Sequence, residues 1–312
     1  MPGPNDTPQN EIMVMNADGS NLRSLTGHDK SLGGAGSPDW SPDGELIAFD
    51  IYSGARTGNY LINADGSGLK YLGAGCMPTF GAGGDRLAFS WSGTGMALMD
   101  LAGENREVLT PDGWGAQFSP NGKWVSYQSY GRTPTTRSIN ITIIDVASKE
   151  KRVILEGDEA TRYSSIYWNM EWSPDSQQIC FKGRIANSSD RYEVATTSID
   201  GSSKGFRILT KETTDTDFGW HPDGSRILLA KTSPKHLGGP RLHVCDLKTG
   251  EITLLETQPL DMPNHSGVWS PNGKQIAFVS RRNPEPVPFQ QIAASDRTAS
   301  TGSATPELPP DR

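Results

Sequence analysis

The sequence predicts an all-β fold, a six-bladed β-propeller with four antiparallel strands per blade. Three observations predict it. A turn motif that follows an aromatic residue recurs six times along the chain, and an apolar strand follows each copy at a constant spacing. The third observation is the composition, because 35 glycines and 22 prolines in 312 residues are typical of short strands joined by many turns. Long helices are not expected.

The first element of each repeat is a tight turn, seen in full as Trp40-Ser-Pro-Asp-Gly44. Proline presets the first central position of such a turn, Asp or Asn suits the next, and glycine takes the left-handed position. Each copy therefore predicts a hairpin tip between the first and second strands of a blade. The six aromatic residues that begin the repeats are Trp40, Phe80, Phe118, Trp172, Trp220 and Trp269.

The second strand of each repeat carries apolar residues seven and nine positions after the aromatic, such as Ile47 and Phe49 in the first repeat. This period of two places one apolar face on every second strand. The residue between the two, Ala48 in the same repeat, is mostly apolar in the other repeats as well. We therefore expect these strands to be covered on both faces, as they are when blades stack around a ring.

A third and a fourth strand complete each repeat. In the first repeat they are predicted at residues 60–62 and 68–72, separated by the turn Ala64-Asp-Gly66. The sixth repeat lacks this second half, whereas residues 12–15 and 22–25 at the other end of the chain have the matching pattern. The N-terminal strands are thus predicted to complete the last blade, a 2+2 closure that leaves no open sheet edge.

The predicted organisation has three parts. A flexible N-terminus covers residues 1–10, the six-bladed propeller covers 11–283, and a disordered tail rich in Pro, Ser, Thr and Ala covers 284–312. The three cysteines, Cys76, Cys180 and Cys245, fall in different blades, so we expect free thiols.

The Trp-Ser-Pro-Asp-Gly turn, the Ile-Ala-Phe strand and the Met-Asn-Ala-Asp-Gly turn together resemble the Pro-Asp variant of the WD40-like repeat of TolB-like propellers. The resemblance covers about residues 11–283, and the separate N-terminal α/β domain of TolB has no counterpart in the sequence. It implies a bacterial, periplasmic or secreted scaffold that binds proteins. Since residues 1–10 lack the basic and apolar regions of a signal peptide, a cytoplasmic location remains the alternative.

Several functional classes are disfavoured. A net charge of −7 argues against a nucleic-acid partner, and no run of 18 apolar residues predicts a membrane span. Related propellers occur in prolyl-oligopeptidase-like hydrolases, but the chain has no Gly-x-Ser-x-Gly nucleophile motif. They also occur as oligogalacturonate lyases, whose metal-binding His and Gln cluster has no match among five scattered histidines. We therefore predict no catalytic residues.

The candidate binding surface is the face formed by the connections between second and third strands and between blades, because varied loops on a rigid scaffold carry binding. Tyr, Trp and Arg in these loops suit a protein interface, and flat aromatic rings also stack on sugars. The predicted contact residues are Tyr130, Arg132, Arg137, Arg162, Tyr163, Tyr167, Trp168, Arg184, Arg191, His236, Arg241 and His265.

The innermost strands begin beside the central channel and supply oxygen ligands there. Asp39, Glu171 and Asp217 are the candidates for a calcium ion, and a water-filled polar channel is the alternative. The sequence as a whole predicts a monomeric, non-enzymatic module that binds a protein partner. The alternative is a carbohydrate-active or carbohydrate-binding propeller that holds an acidic oligosaccharide.

Overall fold

The structure, a computed structural model, describes residues 9–27, 32–54, 56–132, 137–155, 157–188, 191–201, 205–210, 214–232 and 239–281. These residues form 24 strands in six four-stranded antiparallel sheets, together with one short helix. The predicted all-β, six-bladed propeller is confirmed. The predicted tail at residues 284–312, and residues 1–8 of the predicted N-terminus, lie outside the described residues.

Five blades are built from consecutive strands, in the order that the repeats predict. Blade 1 follows β1 (Asn10–Asn16) and β2 (Arg23–Ser24) along the chain. Blades 1 and 2 comprise β3 (Ala35–Trp40), β4 (Leu46–Ile51), β5 (Gly58–Asn63), β6 (Lys70–Gly73), β7 (Cys76–Phe80), β8 (Arg86–Trp91), β9 (Gly95–Asp100) and β10 (Glu107–Thr110). Blades 3, 4 and 5 comprise β11 (Trp114–Phe118), β12 (Trp124–Arg132), β13 (Arg137–Asp145), β14 (Lys151–Val153), β15 (Tyr163–Trp172), β16 (Gln178–Ile185), β17 (Tyr192–Ser198), β18 (Arg207–Thr210), β19 (Thr214–Trp220), β20 (Arg226–Thr232), β21 (Pro240–Asp246) and β22 (Ile252–Leu254).

The sixth blade joins the two ends of the chain. Its sheet has the order β2-β1-β24-β23, with β23 (Asn264–Trp269) innermost and β24 (Gln275–Arg281) second. Strands β1 and β24 pair without interruption from Asn10 opposite Arg281 to Asn16 opposite Gln275. The predicted 2+2 closure is confirmed, and its seven residue pairs hold the ring shut.

The hydrophobic core is divided into six clusters, one between each pair of neighbouring blades. Each cluster contains one of the six motif aromatics, and the residues seven and nine positions later are 0% exposed in every blade. Between blades 1 and 2, for example, Phe80, Leu87 and Phe89 pack against Ala48 and Leu61. The second strands are therefore apolar on both faces because each face meets another blade.

The motif turns are fastened by their own side chains. Ser41 Oγ donates a hydrogen bond to Asp43 at 2.6 Å and accepts one from Leu46 N at 2.9 Å. In blade 5, His221 takes the place of this serine, and its Nδ1 lies 2.8 Å from Asp223 Oδ1. A histidine at this position thus serves the turn.

Each innermost strand contains a bulge about three residues before its aromatic, where the pairing with the second strand shifts. Ser37, Met77, Gly115 and Ser266 adopt left-handed backbone angles at this point, with φ between 50° and 75°. Bulges bend a strand and redirect its side chains. Here they bring polar residues of the innermost strands to the axis of the ring.

One element was not predicted, the six-residue helix α1 (Gly157–Arg162) in the connection from blade 3 to blade 4. No helix in the described part of the chain is long and apolar enough to cross a membrane. Cys76, Cys180 and Cys245 are free, as predicted, and lie in blades 2, 4 and 5.

Candidate functional site

The two faces of the ring differ in the connections that form them. We call the face with the motif turns, such as residues 41–45, the short-turn face. We call the opposite face, with connections such as the one that begins at residues 52–54 and the one that contains helix α1, the loop-rich face. The sequence-based prediction assigned all of the contact residues to the loop-rich face, because its connections vary in length and sequence.

The channel along the axis is narrow. Its enclosed space of about 40 Å³ has room for no more than a few water molecules. Residues of all six innermost strands line it, among them Ser37, Asp39, Met77, Gln117, Trp168, Asn169, Glu171, Phe218 and Ser266.

The channel is polar at the end that opens toward the short-turn face. The residues immediately before four of the motif aromatics, Asp39, Thr79, Gln117 and Glu171, line a wider opening on the short-turn face, and three of them line the channel too. Phe80 N donates a hydrogen bond to Asp39 at 2.6 Å. Burial raises the pKa of Asp39 to about 6, against hydrogen bonds from Phe80 N and Thr79 that lower it.

Two of the three predicted calcium ligands line this polar end of the channel. Asp39 and Glu171 come from blades 1 and 4, which are opposite each other in a six-bladed ring, and the side chain of Asp217 lies outside the described residues. Calcium takes about 6–8 oxygen ligands. Within the described ranges, no group of three His, Cys, Asp or Glu residues is arranged to hold a metal. Calcium binding in the channel stays a prediction.

A second buried carboxylate joins blades 1 and 2. Asp50 is 3% exposed and accepts a hydrogen bond from Met77 N at 3.1 Å. Burial raises the pKa of Asp50 to about 6, opposed by that hydrogen bond. Together with Asp39, it attaches the innermost strand of blade 2 to blade 1.

Two of the predicted contact residues hold helix α1 to blade 4. Arg162 Nε and Nη2 donate to the two carboxylate oxygens of Glu193, both at 2.6 Å. The Glu193 side chain is 1% exposed, and the Tyr163 hydroxyl donates to it at 3.3 Å. These hydrogen bonds raise the pKa of the Arg162 guanidinium. Arg162 and Tyr163 are thus tied to a buried carboxylate.

A partly exposed aromatic group occupies blade 4 beside the channel. We define the blade 4 aromatic cluster as Tyr167, Trp168, Tyr192 and Lys182. The Tyr167 ring lies 5.7 Å from Trp168 and 5.6 Å from Tyr192, and the Lys182 ammonium lies 4.9 and 4.7 Å from the two tyrosine rings. Trp168 is 38% exposed and lines the mouth of the channel. Tyr167 and Trp168 were predicted from the sequence, whereas Lys182 and Tyr192 were not, because only the pairing between β16 and β17 brings these two together.

The remaining polar candidates have different environments. Arg184 is partly exposed, and its Nε donates to Ser164 Oγ at 3.2 Å. Arg191 is exposed. His265 lies in the innermost strand of blade 6, with Nδ1 2.8 Å from Ser266 Oγ and Nε2 3.5 Å from Asn10 Nδ2 of the same blade.

Arg241 is buried, contrary to the expectation that it lies at the surface. Its side chain is 1% exposed and is the largest fully buried side chain among the described residues. Its guanidinium donates to the carbonyl oxygens of Leu260, Gly239 and Pro240, at distances from 2.7 to 3.2 Å. The chain between blades 5 and 6 folds over the guanidinium, so Arg241 supports this connection from inside.

Other candidates remain untested. The side chains of Tyr130, Arg132, Arg137 and Asp217 and the whole of His236 lie outside the described residues.

Comparisons with known proteins agree with this architecture. A protein assigned as TolB from Agrobacterium tumefaciens is 18% identical with a TM-score of 0.67, and the match covers 88% of this chain and 99% of that one. TolB from Acinetobacter baumannii is 18% identical with a TM-score of 0.59, covering 90% and 65%. An oligogalacturonate lyase from Vibrio parahaemolyticus is 11% identical with a TM-score of 0.51, covering 88% and 98%. At these identities the likeness shows the fold alone.

No curated protein matches the chain. A family model does match, the TolB beta propeller domain, over residues 96–310. Because that match spans more than half of the sequence, and because the six sheets close as such a propeller does, the chain belongs to the TolB β-propeller domain family.

Proposed function

We propose that this propeller is a non-enzymatic, monomeric scaffold that binds a partner protein through its loop-rich face. The single observation that carries the proposal is the blade 4 aromatic cluster at the mouth of the channel, with Trp168 38% exposed. The resemblance to TolB-like propellers supports it. By the same resemblance, we propose that the protein works in the periplasm of a bacterium or outside the cell.

The cluster has the properties of an interface hot spot. Tryptophan, tyrosine and arginine dominate such positions, and rings held in place before binding lose little conformational entropy on association. Tyr167 is held by Tyr192, by a hydroxyl–hydroxyl hydrogen bond of 3.3 Å, and by the Lys182 cation. Arg184 and Arg191 provide a polar rim nearby on the same blade. An acidic or apolar partner surface would complement this arrangement.

The fold positions Trp168 through a close contact with blade 3. Gly115 has φ +75°, and a Cβ at this position would overlap the backbone carbonyl and Cβ of Trp168. The Gly115 N–H in turn donates to Ser90 Oγ of blade 2 at 2.9 Å. Three neighbouring blades therefore hold the backbone and Cβ of Trp168, from which the indole extends.

The test is an affinity capture from the extract of the source cell. It compares the native protein with Trp168→Ala and with Tyr71→Ala, a control on the outermost strand of blade 1 whose tyrosine is 51% exposed. We expect one partner to be retained by the native and control proteins and lost by Trp168→Ala. With the purified partner, Trp168→Ala should weaken the dissociation constant about 30-fold, since a hot-spot truncation costs ~2 kcal/mol or more.

Equal capture by all three proteins would contradict a role for this cluster. A melting shift with acidic oligosaccharides that Trp168→Ala abolishes, in the absence of a protein partner, would favour the carbohydrate alternative instead. Arg162→Ala is not a suitable binding variant, because it also breaks the ion pair with Glu193.

A further inference from the structure

The short-turn face contains a second cavity, wider than the channel. It has a volume of about 290 Å³, at the lower end of the range of roughly 300–1,000 Å³ found for small-molecule sites. We define the aromatic cup as this cavity. The six motif aromatics, Trp40, Phe80, Phe118, Trp172, Trp220 and Trp269, form its wall, together with the prolines of the neighbouring motif turns.

The rings of the cup are rigid, because each also belongs to the core between two blades. They remain only 3–9% exposed, and no two come from the same blade. Trp172 Nε1 donates to the Gln117 carbonyl at 3.0 Å, and Trp220 Nε1 to the Gly224 carbonyl at 3.3 Å. The ring therefore surrounds the axis with aromatic groups that packing holds in place.

The floor of the cup is acidic. Asp39 and Glu171 line it from opposite blades, beside the neutral Thr79 and Gln117, and none of the described lining residues is Lys, Arg or His. Negative charge in a concave site with apolar walls focuses the field on whatever enters it. Burial raises the pKa of Asp39 to about 6, so its carboxylate is still ionised at neutral pH but is poorly solvated. A cation bound in the cup would offset that lost solvation.

Two hydrogen-bond donors in the wall have no acceptor within the described part of the chain. These are the indole N–H groups of Trp40 and Trp269, on the neighbouring blades 1 and 6, and both atoms are buried. Buried donors without partners are rare in native proteins, and each such group calls for an explanation. Neither nitrogen is exposed to the cup, so these N–H groups report on shifts of the wall rings and not on a direct contact with a ligand.

We propose that the aromatic cup binds a small organic cation of the alkylammonium class, with its charged group toward Asp39 and Glu171 and its alkyl groups against the aromatic wall. Aromatic faces attract cations, and rings of them recognise quaternary ammonium groups. The carboxylates add charge complementarity, and the volume restricts the site to a small group. The cup lies on the opposite face from the blade 4 aromatic cluster, so this proposal is independent of the protein-binding function.

Choline is the probe, because it is a small organic cation with a quaternary ammonium group. Four of the eight tryptophans lie in the cup, so binding is followed by intrinsic fluorescence and by calorimetry. The control ligand is 3,3-dimethylbutan-1-ol, which has the same shape without the charge. We expect saturable binding of choline and at least about tenfold weaker binding of the neutral alcohol, because cation–π and carboxylate contacts act only on the charge. Peptides carrying one lysine or one arginine distinguish a free ligand from a side chain of a partner.

The variant is Glu171→Gln, which keeps the shape of the side chain and removes one charge. Its matched control is Glu104→Gln, an exposed glutamate in a turn of blade 2. We expect Glu171→Gln to weaken choline binding at least about tenfold and Glu104→Gln to leave it unchanged. Should Glu171→Gln unfold, the proposal is tested on the wild-type protein instead, by following its indole N–H resonances in an NMR titration with choline. Those of Trp40 and Trp269 should shift with choline, whereas that of Trp91 in blade 2 should not.

The proposal is overturned if none of the cations gives a saturable response, or if the neutral alcohol binds as well as choline does. It is also overturned if a folded Glu171→Gln protein binds choline as wild type does. In each of these cases the cup is a water-filled depression whose aromatic residues serve only the core.

Discussion

Breaking the ion pair between Arg162 and Glu193 should destabilise blade 4 more than breaking any exposed pair. In Arg162→Ala, the Glu193 carboxylate, 1% exposed, loses two hydrogen bonds of 2.6 Å, while the hydrogen bond from the Tyr163 hydroxyl remains. Removing one partner of a buried pair costs about 3–5 kcal/mol. Since the Arg162 side chain is 37% exposed, solvent screens part of this loss, and we expect about 2–3 kcal/mol.

The assay is urea denaturation of the wild type, Arg162→Ala, Glu193→Gln and the double variant. A loss of this size corresponds to a decrease in melting temperature of ~5 °C for a domain of this length. The double variant should lose less than the sum of the single variants, with a coupling free energy of at least about 1.5 kcal/mol, because no buried charge is left unpaired.

The control is the same cycle on Arg86 and Glu107, which are 3.2 Å apart but 43% and 47% exposed. There we expect a coupling free energy below about 1 kcal/mol. Equal coupling in the two cycles would refute the argument that the burial of Glu193 determines the strength of its pair with Arg162.

Three further predictions concern other parts of the fold. In urea titrations, Gly115→Ala should lower the free energy of unfolding by about 3 kcal/mol, because the new methyl group overlaps Trp168. Its control is Gly224→Ala, where φ is nearly the same (+76°) but the new methyl group meets open space, and there the loss should be only about 1 kcal/mol. If the two cost the same, backbone strain alone is responsible. Burial raises the pKa of Asp50 to about 6. Between about pH 4 and 6 the folded state therefore binds more protons than the unfolded chain does. The stability that this group contributes is present below about pH 4 and is lost as the pH rises through about 6. Asp50→Asn should therefore stabilise the protein at pH 7 by about 1–2 kcal/mol and have almost no effect at pH 4 in urea titrations at the two values; a gain that does not change with pH would contradict this. Arg241→Lys should lower the free energy of unfolding by about 2–3 kcal/mol, because the compact ammonium group, although it has three donors, lacks the fixed fork with which the guanidinium spans its three carbonyl acceptors. Amide exchange at residues 255–263 should become faster, and unchanged exchange would show that this connection does not depend on the guanidinium.

Much of the candidate site was beyond prediction from sequence. Arg162, Arg184 and Arg241 look alike there, as cationic residues in loops or at strand ends. What separates them is the acceptor within reach of each guanidinium: the buried Glu193 carboxylate for Arg162, backbone carbonyls for Arg241, and the Ser164 hydroxyl for Arg184. These partners depend on strand pairing and loop closure, which local pattern does not reveal.

The aromatic cup could not be predicted from the sequence either, although all six of its aromatic residues were identified there. The motif aromatics were interpreted as turn-flanking core residues, and each is indeed packed in the core. Six equivalent residues also meet around one axis when the ring closes, and only then does a cavity with an aromatic wall exist. A single repeat contains no indication of it.

The sequence by itself determined the number of blades, the order of strands within each blade and the closure by the N-terminal strands. All three depend on local rules, namely the residues that tight turns require and the period of two in a strand, and these act over a few neighbouring positions. The tertiary structure alone decided which polar side chains are buried, where Trp168 is exposed and how Asp39 and Glu171 come to share a cavity. Burial and proximity arise from contacts between residues that are far apart in the chain, and they follow from the packing of all six blades at once.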